Sequence, residues 1–110
     1  MRSDKDHLSD ILEAIQRVEK YKVLGRARFE ADELVQTFVI HQILIIGEAA
    51  RRVSEALQAR SPDIEWPLII GMRNRLIHGY FQIDAVEVWK TVEGDLPKLK
   101  DRIEQLVRTA

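Results

Sequence analysis

The fold is decided by the run from Leu34 to Leu57, which reads LVQTFVIHQILIIGEAARRVSEAL. Apolar residues recur along it at intervals of three and four, the spacing that is typical of an α-helix. Between residues 30 and 59 the chain contains no proline, and its one glycine is Gly47. We therefore predict a single helix over about residues 30–59.

This helix is apolar nearly all the way round. Such a helix must be buried on more than one side, and in a small domain we expect the second side to meet another chain. Gly47 costs a helix about 1 kcal/mol relative to alanine, so we attribute it to the close approach of a neighbouring helix. Glu48 is expected to be a buried and paired carboxylate, and His41 a core histidine.

The chain before this helix also reads as helical. Ser3 and Asp6 resemble a capping box, and apolar residues at helical spacing predict a helix from about Asp4 to Tyr21. Gly25 begins the first break, and we predict a loop over residues 25–28.

The chain after the central helix predicts further helices. Ser61-Pro62-Asp63 is expected to end the central helix, and Pro67 suits the opening turn of the next one. We expect that helix to be anchored by Trp66 and to run to His78.

A linker over residues 81–83 should lead to Asp84 as the N-cap of the last helical stretch. That stretch keeps its apolar phase through Gly94 and Pro97, which predicts a kinked helix or two abutting ones. Its core residues are spaced alternately by four and three: Ala85, Trp89, Val92, Leu96, Leu99, Ile103 and Leu106. No strand-like alternation occurs, so the prediction is an all-α up-and-down bundle of four or five helices.

Composition limits the functions that are available. The 110 residues suit one domain, spanning residues 1–110, and the net charge of −1 gives no global attraction to nucleic acid. There is no cysteine, and the three histidines lack ligand spacing, so no metal or other cofactor is expected. The charged start lacks a signal-peptide core, and the apolar run Ile43–Ile46 is too short to span a bilayer. We expect a cytoplasmic protein with no membrane partner.

The chemistry concentrates in GMRNRLIHGY, from Gly71 to Tyr80. Arginine offers a fixed cation with a planar donor fork that suits phosphate. Histidine exchanges protons near neutral pH. A cation beside a proton shuttle is what phosphodiester cleavage needs, so Arg73 and His78 are the candidate pair.

The spacing of this pair suggests a second chain. On one continuous helix Arg73 and His78 would stand about 140° apart, whereas Asn74 and His78 would share a face. Asn74 could then orient the His78 ring. A symmetric dimer could bring the arginine of one copy to the histidine of the other.

These residues resemble a known family. Arg73-x4-His78 followed by Gly79-Tyr80 is similar to the Arg-x4-6-His signature of the HEPN superfamily and to the Arg-x4-His-x-Tyr form of its HepT-like (DUF86) branch. The chain also contains blocks similar to that branch, in the same order. These blocks are Ile46-Gly47-Glu48-Ala49-Ala50, the segment from Pro62 to Trp66, Gly71-Met72-Arg73-Asn74 and Asp95-Leu96-Pro97. The resemblance covers roughly residue 29 to the C-terminus.

The resemblance implies a helical homodimer whose motif helices face each other. It implies metal-independent cleavage of an RNA substrate, either tRNA or mRNA, by attack of the ribose 2′-OH. It also implies the toxin of a toxin–antitoxin pair, neutralised by a minimal nucleotidyltransferase (MNT) antitoxin that transfers AMP to the motif tyrosine, here Tyr80.

Each candidate residue also has a purely structural interpretation. His78 would transfer protons, or else cap a helix C-terminus. Arg73 would bind the scissile phosphate, or else pair with the supporting residue Glu48. Asn74 would orient His78 or bind phosphate, or else act as a cap. Tyr80 would be modified, or else be a core aromatic.

The remaining cations and aromatics carry less specific predictions. Several arginines could line an RNA path but equally suit a solvated face: Arg75, Arg51, Arg52, Arg26 and Arg28. Trp66 and Trp89 are predicted to be core. Two alternatives to a nuclease stay open: a non-catalytic RNA- or nucleotide-binding partner subunit of a minimal nucleotidyltransferase, and a plain helical dimerisation domain.

Overall fold

Helices account for most of the chain in the computed structural model, which describes residues 2–78 and 82–109. This confirms the predicted all-α class. The first long helix, α1, packs against both α3 and α8 around one core. The elements in order are α1 Asp4–Lys22, α2 Arg26–Ala31, α3 Glu33–Arg52, α4 Glu55–Ala59, α5 Trp66–Ile70, α6 Met72–Leu76, β1 Ile77–His78, β2 Gln82–Ile83, α7 Ala85–Lys90, a π-helical turn Thr91–Asp95 and α8 Leu96–Thr109.

Helix α3 is the centre of the bundle. The Asp32 side chain caps its start by accepting the N–H groups of Leu34 and Val35. By length and composition alone α3 would qualify as a membrane span, but its packing against α1, α2, α5 and α6 accounts for its apolar character. Its buried residues are Val35, Val39, Ile40, Gln42, Ile43, Ile46, Ala49 and Ala50.

The prediction of one helix over residues 30–59 was wrong at both ends. Helix α3 ends at Arg52 because Val53 is extended, with φ −65° and ψ 137°. Ser54 then caps α4, and its N–H and Oγ–H donate to the Asp4 carboxylate at 2.8 and 2.6 Å. These hydrogen bonds compete with helix continuation, and they lower the pKa of Asp4 below its ordinary value of 3.8.

The N-terminal predictions were confirmed except for the loop. Ser3 and Asp6 form the capping box of α1. Gly25 adopts a φ of +88°, a backbone conformation that glycine tolerates best. After it, residues 26–31 form α2 rather than a loop, and this helix buries Phe29 against Trp89 with ring centroids 5.5 Å apart.

Gly47 marks a close approach of α3 and α5, as predicted. A Cβ built there would lie 3.4 Å from the carbonyl oxygens of Ile69 and Ile70. A methyl group fits at that distance, but a longer side chain would have to push α5 away.

We expect Gly47→Ala to change the free energy of unfolding by no more than about 1 kcal/mol, because a gain in helix propensity offsets a tight contact. Gly47→Leu should destabilise by about 1–3 kcal/mol through overpacking. Urea unfolding measures both. Gly94→Leu is the matched control, since a Cβ at Gly94 meets nothing within 4 Å. Equal costs at the two sites would contradict this explanation of Gly47.

The last helical stretch runs on through a π-helical turn between α7 and α8, so it is neither a long loop nor a regular α-helix throughout. The Leu96 N–H bonds to the carbonyl of Thr91, five residues back. Pro97 has no N–H to donate and is accommodated just beyond this turn. The predicted apolar phase survives, since Trp89, Val92, Leu96, Leu99 and Ile103 are all buried.

The motif region departs most from prediction. The expected helix to His78 ends at Leu76, because Ile77 is extended at φ −124° and ψ 123°. Ile77 and His78 pair in antiparallel register with Ile83 and Gln82. The predicted linker therefore contains a return strand.

Trp66 anchors the start of this region as predicted. It is buried, and its Nε1–H donates to the Ser61 carbonyl at 3.3 Å. Pro67 occupies the first turn of α5, also as predicted.

Candidate functional site

His78 lies on strand β1 with its side chain 56% exposed, and its Nε2 is 3.2 Å from Oδ2 of Asp84. The shared helical face predicted for Asn74 and His78 was wrong, because α6 ends before His78. The capping interpretation of His78 does not describe this geometry either, since the ring contacts a carboxylate.

Asp84 is the neighbour of His78 that sequence reasoning missed, since it was predicted only as a helix cap. It is that cap: its Oδ1 accepts the Glu87 N–H at 3.1 Å. The bond from Glu87 and then the His78 contact hold the pKa of Asp84 below its ordinary value. The available signal was a carboxylate six residues after His78, within reach if the chain reverses direction.

Arg73 and Asn74 lie on α6, directly before β1. This short helix buries Met72 and Leu76, so the residues between them are exposed. Over residues 2–78 and 82–109 neither the Arg73 nor the Asn74 side chain makes a hydrogen bond or an ion pair. The structural interpretation of Arg73 as a partner of Glu48 is not adopted in this chain, because Glu48 pairs with Arg51 and Arg52.

Glu48 pairs within its own helix instead. Its Oε1 accepts from Arg51 at 2.6 Å and from Arg52 at 3.1 Å. These bonds, that from Arg51 first, lower the pKa of Glu48. The predicted pairing is confirmed, but the predicted burial was wrong, because Glu48 is exposed in the single chain. Arg51 and Arg52, the candidate RNA contacts on α3, are engaged in this pair.

His41 is also exposed, so the prediction of a core histidine was wrong. It lies seven residues before Glu48 and seven after Leu34, which is 83% exposed. Positions seven apart follow one stripe of a helix. In a single chain this stripe faces away from the core, which the other faces of α3 fill.

Arg75 borders a groove of about 260 Å³ between α5, α6 and α8. On a helix, Arg75 projects to the opposite flank from Arg73. The groove has an apolar floor, and its charged rim carries both signs. The charged residues are Arg75, Lys98, Arg102, Glu65 and Asp95.

The other predicted positions divide by location. Tyr80 and Gly79 lie outside the described residues. Arg26 and Arg28 form exposed ion pairs with Glu30 and Asp32 on α2 and at its end. Among the residues that the structure does describe, no group of three or more histidine, aspartate or glutamate side chains could hold a metal ion.

The helical bundle and the exposed Arg-x4-His pair define an all-α domain with a site suited to phosphate and proton transfer. The chain belongs to the HepT-like ribonuclease family, which matches residues 11–106. It is similar to the "Probable ribonuclease HepT" of Thermococcus cleftensis, with 40% identity over 106 residues that cover 96% of each protein.

A second relative comes from Methanocaldococcus jannaschii and is assigned by name as an RNase. It is 36% identical over 104 residues, which cover 94% of this chain and 95% of the relative. No solved structure matches the chain significantly. The predicted HepT-like membership is therefore confirmed, and with it a ribonuclease family.

Proposed function

We propose that this protein is a metal-independent endoribonuclease that acts as the toxin of a toxin–antitoxin pair in the cytoplasm. The observation that carries the proposal is an exposed His78, held by a carboxylate, that directly follows a helix with an exposed Arg73. Membership of a ribonuclease family supports RNA as the substrate, and we propose that this RNA is tRNA or mRNA.

The reaction needs only proton transfer and charge stabilisation. The ribose 2′-oxygen attacks the neighbouring phosphorus and loses its proton, and the bond from phosphorus to the 5′-oxygen breaks. His78 moves a proton at one of these oxygens. Arg73 binds the phosphate and the negative charge that builds on it. Asn74 contributes a further donor to the phosphate. The products are a 2′,3′-cyclic phosphate and a 5′-hydroxyl.

Two protomers complete the site in this proposal. Arg73 of one copy would serve His78 of the other around a single bound phosphate. The exposed stripe of α3 that carries Leu34, His41 and Glu48 suits contact with a second chain. Glu48 would then support the assembly with its arginine partners, and Arg75 would contact RNA beyond the cleavage point.

The direct test is cleavage of a short RNA by the purified protein in excess chelator. We expect fragments that end in a 2′,3′-cyclic phosphate and begin with a 5′-hydroxyl, identified by mass spectrometry. Salt-dependent RNA binding with no cleavage at high enzyme concentration would instead favour the non-catalytic partner subunit. The absence of both cleavage and binding would favour a plain dimerisation domain.

Tyr80 is the proposed site of neutralisation by an MNT antitoxin. Its hydroxyl would attack the α-phosphorus of ATP and release pyrophosphate, leaving AMP on the ring. The added bulk and negative charge near Arg73 would compete with RNA phosphate.

After co-expression with a cognate nucleotidyltransferase, we expect this protein to gain the mass of one or more AMP units on the peptide that contains Tyr80. RNA cleavage should fall in proportion to the modified fraction. Intact-mass and peptide mass spectrometry measure both. Tyr80→Phe should stay unmodified, and Tyr21→Phe is the matched control that keeps the modification site. AMP found on another residue would contradict the assignment.

A further inference from the structure

The contact between His78 and Asp84 is fixed by more than the two side chains. The backbone N–H of Asp84 donates to the Leu76 carbonyl at 2.9 Å. The register of the ribbon sets His78 opposite Gln82. The Asp84 Oδ1 is occupied by the Glu87 N–H at the start of α7. The other oxygen, Oδ2, contacts the ring, so the fold places one carboxylate oxygen against one ring nitrogen.

The contact with Asp84 determines which tautomer the His78 ring adopts. An ionised carboxylate can only accept hydrogen bonds, so the ring nitrogen beside it must carry the hydrogen. In a neutral imidazole one nitrogen donates and the other accepts. With Nε2–H given to Asp84, the lone pair lies on Nδ1.

We propose that Asp84 is a positioning residue for the RNA-cleavage reaction, which holds His78 in the Nε2–H form and leaves Nδ1 as the nitrogen that exchanges a proton with RNA. The inference deepens the proposed ribonuclease function and rests on it. Because Asp84 is fixed before RNA binds, the ring needs no reorientation during the reaction. A carboxylate at Nε2 also stabilises the imidazolium that forms when Nδ1 takes a proton.

A purely structural role would leave Asp84 as the cap of α7 and nothing more. The two roles use different oxygens, so substitutions can separate them. Asp84→Asn keeps a capping oxygen for Glu87 but turns an N–H toward Nε2. Nε2 must then accept, and the hydrogen moves to Nδ1. Asp84→Ser keeps the cap and is too short to hold the ring in the same way.

The experiment compares these variants by ring nitrogen NMR, by steady-state kinetics on RNA and by thermal unfolding. The spectrum of His78→Ala assigns the His78 signals against those of His7 and His41. In the wild type we expect the Nε2–H form, and in Asp84→Asn the Nδ1–H form. The kcat of Asp84→Asn should fall by roughly 10²-fold or more, because the wrong tautomer withdraws general acid–base catalysis. KM should change little, since in this proposal Asp84 acts through His78 and not on RNA itself.

Ser54→Ala is the matched structural control, because it removes the N-cap of α4 instead of α7. It should cost about 1 kcal/mol of stability and leave kcat and the His78 tautomer unchanged. Asp84→Asn should unfold close to the wild-type temperature. A wild-type tautomer and a wild-type kcat in Asp84→Asn would overturn the proposal.

The outcomes also separate this inference from the function on which it rests. If His78→Ala cleaves RNA normally, the proposed ribonuclease site fails, and the catalytic part of the Asp84 assignment fails with it. If His78→Ala is inactive while Asp84→Asn is fully active, the ribonuclease proposal stands and only the role of Asp84 is wrong. The His78 tautomer is measured without RNA, so it tests the contact between His78 and Asp84 in either case.

Discussion

His78→Ala is expected to lower the rate of RNA cleavage by roughly 10²–10⁴-fold, which is the range that a positioned acid or base contributes. The His78 side chain is more than half exposed, so the substitution removes little buried surface. The thermal unfolding temperature and the oligomeric state should therefore stay close to those of the wild type. Initial rates on a short RNA, measured in chelator, give the effect.

Arg73→Ala should lower the same rate by roughly 10²–10³-fold, because charge that builds on the phosphate loses its cation. Its loss should also weaken RNA binding and flatten the salt dependence. Arg73→Lys should recover only part of the activity, since lysine lacks the planar fork.

Matched controls come from the same chain. His41→Ala removes another exposed histidine, and Arg108→Ala another exposed arginine at the far end of α8. Both should cleave at wild-type rates. Full activity of His78→Ala, in a preparation shown free of contaminating nuclease, would falsify the proposed site.

The fold could be predicted where the apolar pattern is long. The spacing from Ala85 to Leu106 predicted the last helical stretch correctly through Gly94 and Pro97, because buried residues before and after the π-helical turn keep intervals of three and four. The role of Gly47 at a close helix contact was also predicted correctly. A glycine inside an apolar helix has few causes other than close packing.

The predictions failed where a small number of hydrogen bonds outweighs the periodicity of the apolar residues. Ser54 and Asp4 end α3 through contacts fifty residues apart in sequence, which no local pattern reveals. The two-residue strands are too short to show alternation, so the chain reversal that brings Asp84 beside His78 could not be predicted. His41 and Glu48 were assigned to the core because an apolar helix does not show which of its stripes the single chain leaves open.

Mixed dimers are expected to regain activity that neither parent has. If Arg73 of one protomer serves His78 of the other, a heterodimer of Arg73→Ala and His78→Ala contains one damaged site and one intact site. Purified heterodimers should then cleave at about half the wild-type rate, since a two-fold dimer holds two equivalent sites. The rise over either parent homodimer would be on the order of 10²-fold, because each parent lacks a group worth at least that much.

A second heterodimer, with both substitutions in the same protomer, distinguishes shared sites from separate ones. A heterodimer of wild type with the Arg73→Ala/His78→Ala double variant has no intact site if the residues are shared, and one intact site if each protomer acts alone. The two heterodimers contain the same number of arginines and histidines, so composition cannot explain a difference between them. Differently tagged copies that are co-expressed and purified through both tags provide the samples. Activity in the wild-type/double-variant heterodimer, with none in the single-variant pair, would show that each protomer carries a complete site and would overturn the shared cleft.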